Sequence, residues 1–439
     1  MRGDRYPKMW QPQYEMMPRQ ELKKLQLERL KKQVSNAYHK VPFYRTRFQE
    51  AGITPDDITS LEDVTRLPFT NKNDFRDNYP YGLMAVPLSQ VVRVHASSGT
   101  TGKPIIAPYT AQDIDTWANL IARNLVSAGI HKGDVIQNVY NYGLFTGGLG
   151  YHYGAEKLGA TIIPASVGNT KRQLMLIQDL GTTALTSTPA YALVLAETAQ
   201  EMGIDLVASQ LRVAILGAEP WTEKMRTEIE AKMGITAIDN YGLTELVGPG
   251  VSCECLCQQG MHIWEDHFLA ELVDPATGQP LPCEKQGELV LTALTKEALP
   301  VIRFRTHDLV TMYSGECECG RTFMRMSKIR GRTDDMLIIR GVNVFPTQIE
   351  SVLLSIEGVE PHYQIIVDRE RHLDEIEIWV EVSEAIFSDE VRGLKEMEER
   401  VRAEMNSILG ISARIKLVEP RTIARTEGKA RRVIDRREL

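Results

Sequence analysis

The run Ser97-Ser98-Gly99-Thr100-Thr101-Gly102-Lys103-Pro104 gathers four hydroxyl side chains, two glycines and a lysine in eight positions. Glycine lets the backbone take positive φ and approach a ligand closely, hydroxyl and N–H groups donate, and lysine adds a mobile cation. A loop of this make-up suits a polyphosphate and points to ATP. It is not a Walker loop, because the G-x-x-x-x-G-K-[ST] spacing is absent and a proline follows the lysine. A second constellation is sulfur-rich: Cys253, Cys255, Cys257 and His262, then Cys317 and Cys319, with Cys283 between. Thiolate and imidazole together favour tetrahedral zinc over magnesium or calcium. On an extended strand Cys253, Cys255 and Cys257 share one face, so spacing leaves open which of them ligates. Reduced, unliganded thiols are the other reading of the cluster. Glu265-Asp266-His267 resembles an acid/base set, but neighbours on a strand face opposite ways, so a structural role is expected.

Downstream come Gly217-Ala218-Glu219-Pro220-Trp221, Asp239-Asn240-Tyr241-Gly242-Leu243-Thr244-Glu245, the Arg303 to Asp308 run, Gly331-Arg332-Thr333-Asp334-Asp335 and Gly428-Lys429-Ala430. In that order these segments resemble the adenylate-forming superfamily. Two further segments, Tyr142 to Gly150 and Arg340-Gly341-Val342-Asn343-Val344-Phe345-Pro346, are similar to its phenylacetate-CoA ligase family. The likeness runs from about Tyr44 to the C-terminus. It implies a two-step reaction, in which a carboxylate attacks the α-phosphate of ATP to give an acyl-adenylate and pyrophosphate, and the thiol of coenzyme A then displaces AMP. By the same resemblance Lys429 bridges carboxylate and α-phosphate, Thr244 contacts the α-phosphate and Glu245 holds Mg²⁺. ATP binding falls to Ser97, Ser98, Gly99, Thr100, Thr101, Gly102, Lys103, Gly217, Ala218, Glu219, Pro220, Asp239, Tyr241, Gly242, Asp308 and Arg332, with Asp308 on the ribose hydroxyls. Asp334 is the hinge, and Gly341, Val342 and Asn343 line the coenzyme A channel. Tyr140, Phe145, Gly147, Ala218 and Pro249 line an acyl pocket suited to an aryl-acetic acid. Cys255, His262, Cys317 and Cys319 form a Cys₃His zinc set. Two other functions are carried alongside: a coenzyme F390 synthetase-like adenylyltransferase that omits coenzyme A, and a nucleotide-binding sensor without turnover, against which Lys429 and Glu245 speak.

The elements that must position these groups are legible as pattern. Leucines at helical spacing from Arg19 to Ala37 predict a helical N-terminal cap. Apolar runs at Val91–Val94, Val135–Tyr140, Thr161–Pro164, Ala184–Ser187, Val213–Leu216 and Thr236–Asp239 alternate with amphipathic stretches, predicting α/β layering on largely parallel strands. Shorter strands at Ala270–Val273, Gly287–Thr292 and Asp308–Tyr313 predict a β subdomain. The polar link at 331–335 divides an N-terminal domain, 1–331, from a small mobile α+β C-terminal domain, 332–439, with strands at Tyr363–Val367 and Glu375–Val382 and a helix from Asp389 to Leu409. A chain of 439 residues needs at least two domains. Its formal charge of -7 argues against nucleic-acid binding. Residues 1–40 show no signal peptide or membrane span, which predicts a cytoplasmic protein, and a two-fold homodimer is expected.

Overall fold

The computed structural model of the chain describes residues 9–97, 104–335, 337–339, 342–370, 373–383, 386, 391–425, 430 and 432–437. The expected phosphate loop from Ser98 to Lys103, Gly341 and Lys429 lie outside them.

Two strands, β1 (Val91–Ala96) and β2 (Ile106–Thr110), pair antiparallel as a separate ribbon. Val91–Val94 was expected among the parallel strands. The ribbon arises because Ser97 closes the intervening loop at its base: Ser97 N donates to Ile105 O at 3.0 Å and Ile105 N to Ser97 Oγ at 2.9 Å. The main sheet begins with β3 (Val135–Asn138), β4 (Thr161–Ile163), β5 (Ala184–Ser187), β6 (Val213–Gly217) and β7 (Thr236–Leu243). These five run parallel in the order β4-β3-β5-β6-β7. Helices cross over between them, which explains why β5 and β6 are buried along their whole length and read as continuous apolar runs.

At β7 the sheet changes sense. The turn Thr244–Val247 returns the chain into β8 (Gly248–Glu254), antiparallel to β7, followed by β9 (Met261–Ile263), β10 (Phe268–Val273), β11 (Gln286–Ala293), β12 (Phe304–Tyr313), β13 (Arg325–Met326) and β14 (Gly331–Arg332). The order continues β8-β9-β13-β12-β11-β10, and β14 joins β12, giving twelve strands. The β subdomain is therefore continuous with the parallel sheet. The N-terminal helix Arg19–Lys40 lays Leu22, Leu30, Val34 and Ala37 against it and ties Gln33 Nε2 to Lys296 O at 2.7 Å.

Strands β15 (Leu337–Ile339) and β16 (Val342–Val344) form a hairpin after the link. The C-terminal unit is a four-stranded sheet of β17 (Val359–Glu370), β18 (Leu373–Val382), β19 (Arg414–Val418) and β20 (Val433–Asp435) in the order β19-β18-β17-β20. The helices Pro346–Ser355 and Val391–Leu409 close its own core of Ile349, Leu353, Ile365, Ile378, Val401 and Met405. Pairing of β14 with β12 carries the first unit's sheet through Arg332, and the second core starts at Leu337. Among the described residues no helix is long and apolar enough to cross a membrane.

Candidate active site and cysteine cluster

The C-terminal ends of β6 and β7 carry seven of the ten described nucleotide candidates, at the place where open α/β sheets hold ligands. Gly217 ends β6 against β7. A Cβ there would meet Asn240 O at 2.5 Å, so only glycine allows the approach. Ala218 follows with φ +72°, a left-handed conformation that alanine rarely adopts and that marks a functional constraint. Tyr140 lies beside Gly217 and Asn240, and its ring centroid is 6.5 Å from that of Phe145. Gly147 packs under this pair, where a Cβ would meet Phe145 Cε1 at 2.7 Å. Pro249, half-buried, accepts the Trp117 indole N–H at 2.7 Å.

Tyr241, Asp308, Arg332 and Asp334 form one hydrogen-bonded chain. Tyr241 Oη donates to Asp308 Oδ2 at 2.6 Å, and Arg332 Nη1 donates to Asp308 Oδ1 at 2.7 Å. Arg332 then forks onto Asp334 at 3.0 and 3.1 Å, and Lys72 Nζ reaches Asp334 at 3.3 Å. Asp308 is 2% exposed, and burial pushes its carboxyl up despite Arg332. It is a buried acid with both oxygens hydrogen-bonded, not a surface ion pair.

Asp239 is buried in β7, and its N–H donates to Glu254 Oε2 at 2.8 Å. Burial, reinforced by the Glu254 carboxylate, pushes its carboxyl up to about 7, with Lys328 opposing. Because the folded-state value lies above the ordinary one, the favourable contribution is present at acid pH and is lost as pH rises through about 7. Asp239→Asn is expected to gain stability over the parent between pH 5 and pH 8, by about 1 kcal/mol or more, read by urea unfolding. A difference independent of pH would contradict this.

Thr244 and Glu245 occupy the β7–β8 turn, both buried, and the turn is so tight that a Cβ on Gly242 would strike Gly248 O at 1.9 Å. Among the described residues no hydrogen bond or ion pair reaches the Glu245 carboxylate, while its backbone carbonyl accepts from Lys296 Nζ at 3.2 Å. Lys296 is a buried cation that sequence reasoning missed. Burial pulls it down to about 8, and its Nζ lies 4.9 Å from the Tyr109 ring centroid. Its only signal is a charge between Leu294 and the apolar Ala298-Leu299 pair.

The Glu219 carboxylate accepts two backbone N–H groups, from Ala190 and from Ala430, each at 2.9 Å. A cavity of about 470 Å³ opens between the two units, lined by Glu219, Pro220, Arg332, Asp334, Tyr363 and Ala430 among others. Val342 and Asn343 lie on β16, in the hairpin that follows this face.

The cysteine candidates converge. Ligand atoms of Cys255, His262, Cys317 and Cys319 all lie within 4.8 Å of one another. Cys255 Sγ and Cys317 Sγ are 3.7 Å apart, and Cys319 Sγ and His262 Nε2 are 3.5 Å apart. A tetrahedron with Zn–S of ~2.3 Å and Zn–N of ~2.0–2.1 Å has edges of about 3.8 and 3.6 Å. The premise that three cysteines share an extended face fails, because β8 ends at Glu254 and Cys255 and Cys257 follow in a turn. Cys253 is fully buried in the main hydrophobic core, and Cys257 is not among the four converging residues. Glu265, Asp266 and His267 lie in a turn rather than on a strand, so Asp266 and His267 do meet, with His267 Nε2 3.3 Å from Asp266 Oδ2, while Glu265 bonds to Arg19, Asp266 to Arg123 and His267 Nδ1 to Thr295.

The profile of the AMP-binding enzyme matches residues 24–293, and that of the AMP-binding enzyme C-terminal domain matches residues 341–437. A phenylacetate-coenzyme A ligase of Thermus thermophilus is 51% identical over 98% of this chain and 100% of its own. One of Escherichia coli is 50% identical over 95% of this chain and 96% of its own. Among solved structures, 2-hydroxyisobutyryl-CoA ligase in the postadenylation state with R3-HIB-AMP superposes with a TM-score of 0.91 at 32% identity, covering 97% of this chain and 92% of the other. The same ligase with 2-HIB-AMP and CoA in the thioesterification state gives 0.72, covering 97% and 91%. With identity near one half along almost the whole length, the chain belongs to the phenylacetate-CoA ligase family of AMP-binding enzymes.

Proposed function

We propose that the protein activates phenylacetate or a close aryl-acetic acid with ATP to the acyl-adenylate, and then transfers the acyl group to coenzyme A. The observation that carries this reading is the chain Tyr241–Asp308–Arg332, which holds a buried carboxylate suited to a vicinal diol. The aromatic pair Tyr140 and Phe145 over Gly147 supports it, as rings against which an aryl group could pack. Asp308 holds the ribose, Arg332 orients it, and Gly217 and Ala218 let the backbone lie flat on the adenine. Adenylation brings anions together, so it needs fixed cations and donors aimed at the α-phosphate. Lys429, Thr244 and the loop from Ser97 to Lys103 take that role.

The buried Glu245 carboxylate, with no hydrogen bond or ion pair among the described residues, is suited to Mg²⁺. That ion would neutralise phosphate charge when bound. The domain arrangement here corresponds to the relative's postadenylation state. The hinge at Asp334, held by Arg332 and Lys72, would release the C-terminal unit for the second step, with Gly341, Val342 and Asn343 along the thiol channel. We place the enzyme in the cytoplasm as a homodimer. AMP release from ATP with a panel of carboxylic acids tests the substrate. Turnover confined to aryl-acetic acids supports the reading, and turnover of none of them removes it.

Cys255, Cys317, Cys319 and His262 hold a structural zinc. The observed S–S and S–N separations match a tetrahedral ion, and four protein ligands leave no open position for catalysis. Arg321, two residues past Cys319, donates to Glu15 Oε2 at 2.7 Å, so the knuckle also pins the N-terminal segment. One zinc per chain is expected by metal analysis. Cys317→Ser should lose it together with several degrees of Tm, about 2 kcal/mol or more. A metal-free protein of unchanged Tm would contradict this.

A further inference from the structure

The helix Pro189–Glu201 carries charges that its own end disfavours. Glu197 and Glu201 stand four residues apart on one face in its C-terminal half, and its last turn has no basic residue. Like charges at that spacing repel, and acids there oppose the helix dipole. The compensating partners come from the other unit. His362 Nε2 meets Glu197 Oε1 at 2.7 Å, and Arg425 Nε lies 3.4 Å from Glu197 Oε2. Arg421 pairs with Glu201. At the opposite end, Glu219 joins the N–H of Ala190, in the helix's first turn, to the N–H of Ala430, the residue that follows Lys429 in the chain.

The ion-pair partners of Glu197 and Glu201 among the described residues therefore belong to the span 362–425, with Lys232 of the first unit adding a weaker electrostatic attraction at Glu197. Of these contacts the His362–Glu197 pair is the drier, its side chains 9% and 20% exposed, and so carries the most energy. The Arg421–Glu201 pair is open to water, at 59% and 46%, and contributes little. Arg425 arrives already oriented, because it also forks onto Glu381 within its own unit at 2.8 and 2.9 Å. The relative that superposes at 0.91 in one state and 0.72 in another shows that two arrangements of these units exist. The contacts described here belong to the first.

We propose that the helix Pro189–Glu201 is a docking post for the C-terminal unit, and that Glu197 and His362 are positioning residues for adenylate formation alone. This rests on the two-step reading above. Neither residue lies among those assigned to the nucleotide, the acid or the metal. They act by selecting the arrangement in which Ala430 is held on Glu219. When the C-terminal unit swings away, Glu197 and Glu201 lose these partners and keep only the weaker attraction of Lys232. The post then contributes nothing to the second arrangement.

The test separates the half-reactions in the full-length enzyme. Pyrophosphate release from ATP and phenylacetate without coenzyme A reads the first. Thioester formation from supplied phenylacetyl-adenylate and coenzyme A reads the second. Glu197→Ala, His362→Ala and the double variant are each expected to slow the first about tenfold, the double no worse than either single. The second should stay within about twofold in all three, which a general folding defect would not allow. Equal losses in both half-reactions, or additive losses in the double, would overturn the docking post while leaving the two-step reading intact. A parent enzyme that forms no adenylate from any acid would overturn that reading and the post with it.

Discussion

Lys429→Ala is expected to slow acyl-adenylate formation by about 10³-fold while ATP still binds. The reason is electrostatic. A carboxylate must approach the α-phosphate of a polyanion, and each step toward the pentavalent transition state concentrates charge on oxygens that water no longer solvates. A lysine that spans both anions offsets repulsion in the ground state and stabilises the developing charge. On the proposed reading nucleotide affinity resides elsewhere, on the β6 and β7 ends and on Asp308, so KM for ATP should move little. Pyrophosphate release by the variant, followed in single turnover, checks the rate, and calorimetry checks the binding. Thioester formation from supplied acyl-adenylate should survive, because the lysine is not needed once AMP is already attached. A variant that retains a tenth of the parent adenylation rate would remove Lys429 from the mechanism.

Asp308→Ala carries the second large effect, and it acts on affinity. The carboxylate holds Tyr241 Oη on one oxygen and Arg332 Nη1 on the other. Removing it leaves the Tyr241 hydroxyl without its acceptor in a buried place and loses the ribose contact. Charge-assisted hydrogen bonds of this kind are worth about 1.5–3 kcal/mol each. KM for ATP is therefore expected to rise about 100-fold, with a loss of stability of about 2 kcal/mol. Arg332 keeps Asp334, at 3.0 and 3.1 Å, so the link should stay ordered. Asp308→Asn should be milder, since an amide oxygen can still accept from one partner. Unchanged KM for ATP in the alanine variant would place the ribose elsewhere.

The parallel half of the sheet was legible because its central strands are buried on both faces and bounded by turn residues. Val213–Gly217 and Thr236–Leu243 fall where apolar runs end in glycine or polar groups. The separate ribbon was not, because Val91–Ala96 has the same β-rich composition as a sheet strand, and only the hydrogen bonds of Ser97 and Ile105 decide its partner. Motif order located Asp308 and Arg332, whereas their shared hydrogen bonds depend on β14 pairing with β12, which has no local signature in two residues. The choice of Cys255 turned on where β8 ends. The strand would have to run three residues further, to Cys257, for the three alternating cysteines to share a face. Lys296 and Glu197 stayed hidden because a single charge in a helix or loop looks solvated until the chain folds over it.

The most direct measurement is mass-spectrometric stoichiometry with ATP, Mg²⁺, phenylacetate and coenzyme A. The account predicts one AMP, one pyrophosphate and one phenylacetyl-CoA per turnover, with thioester absent when coenzyme A is omitted. AMP joined to a deazaflavin without any coenzyme A requirement, or ATP bound and returned intact, would contradict it.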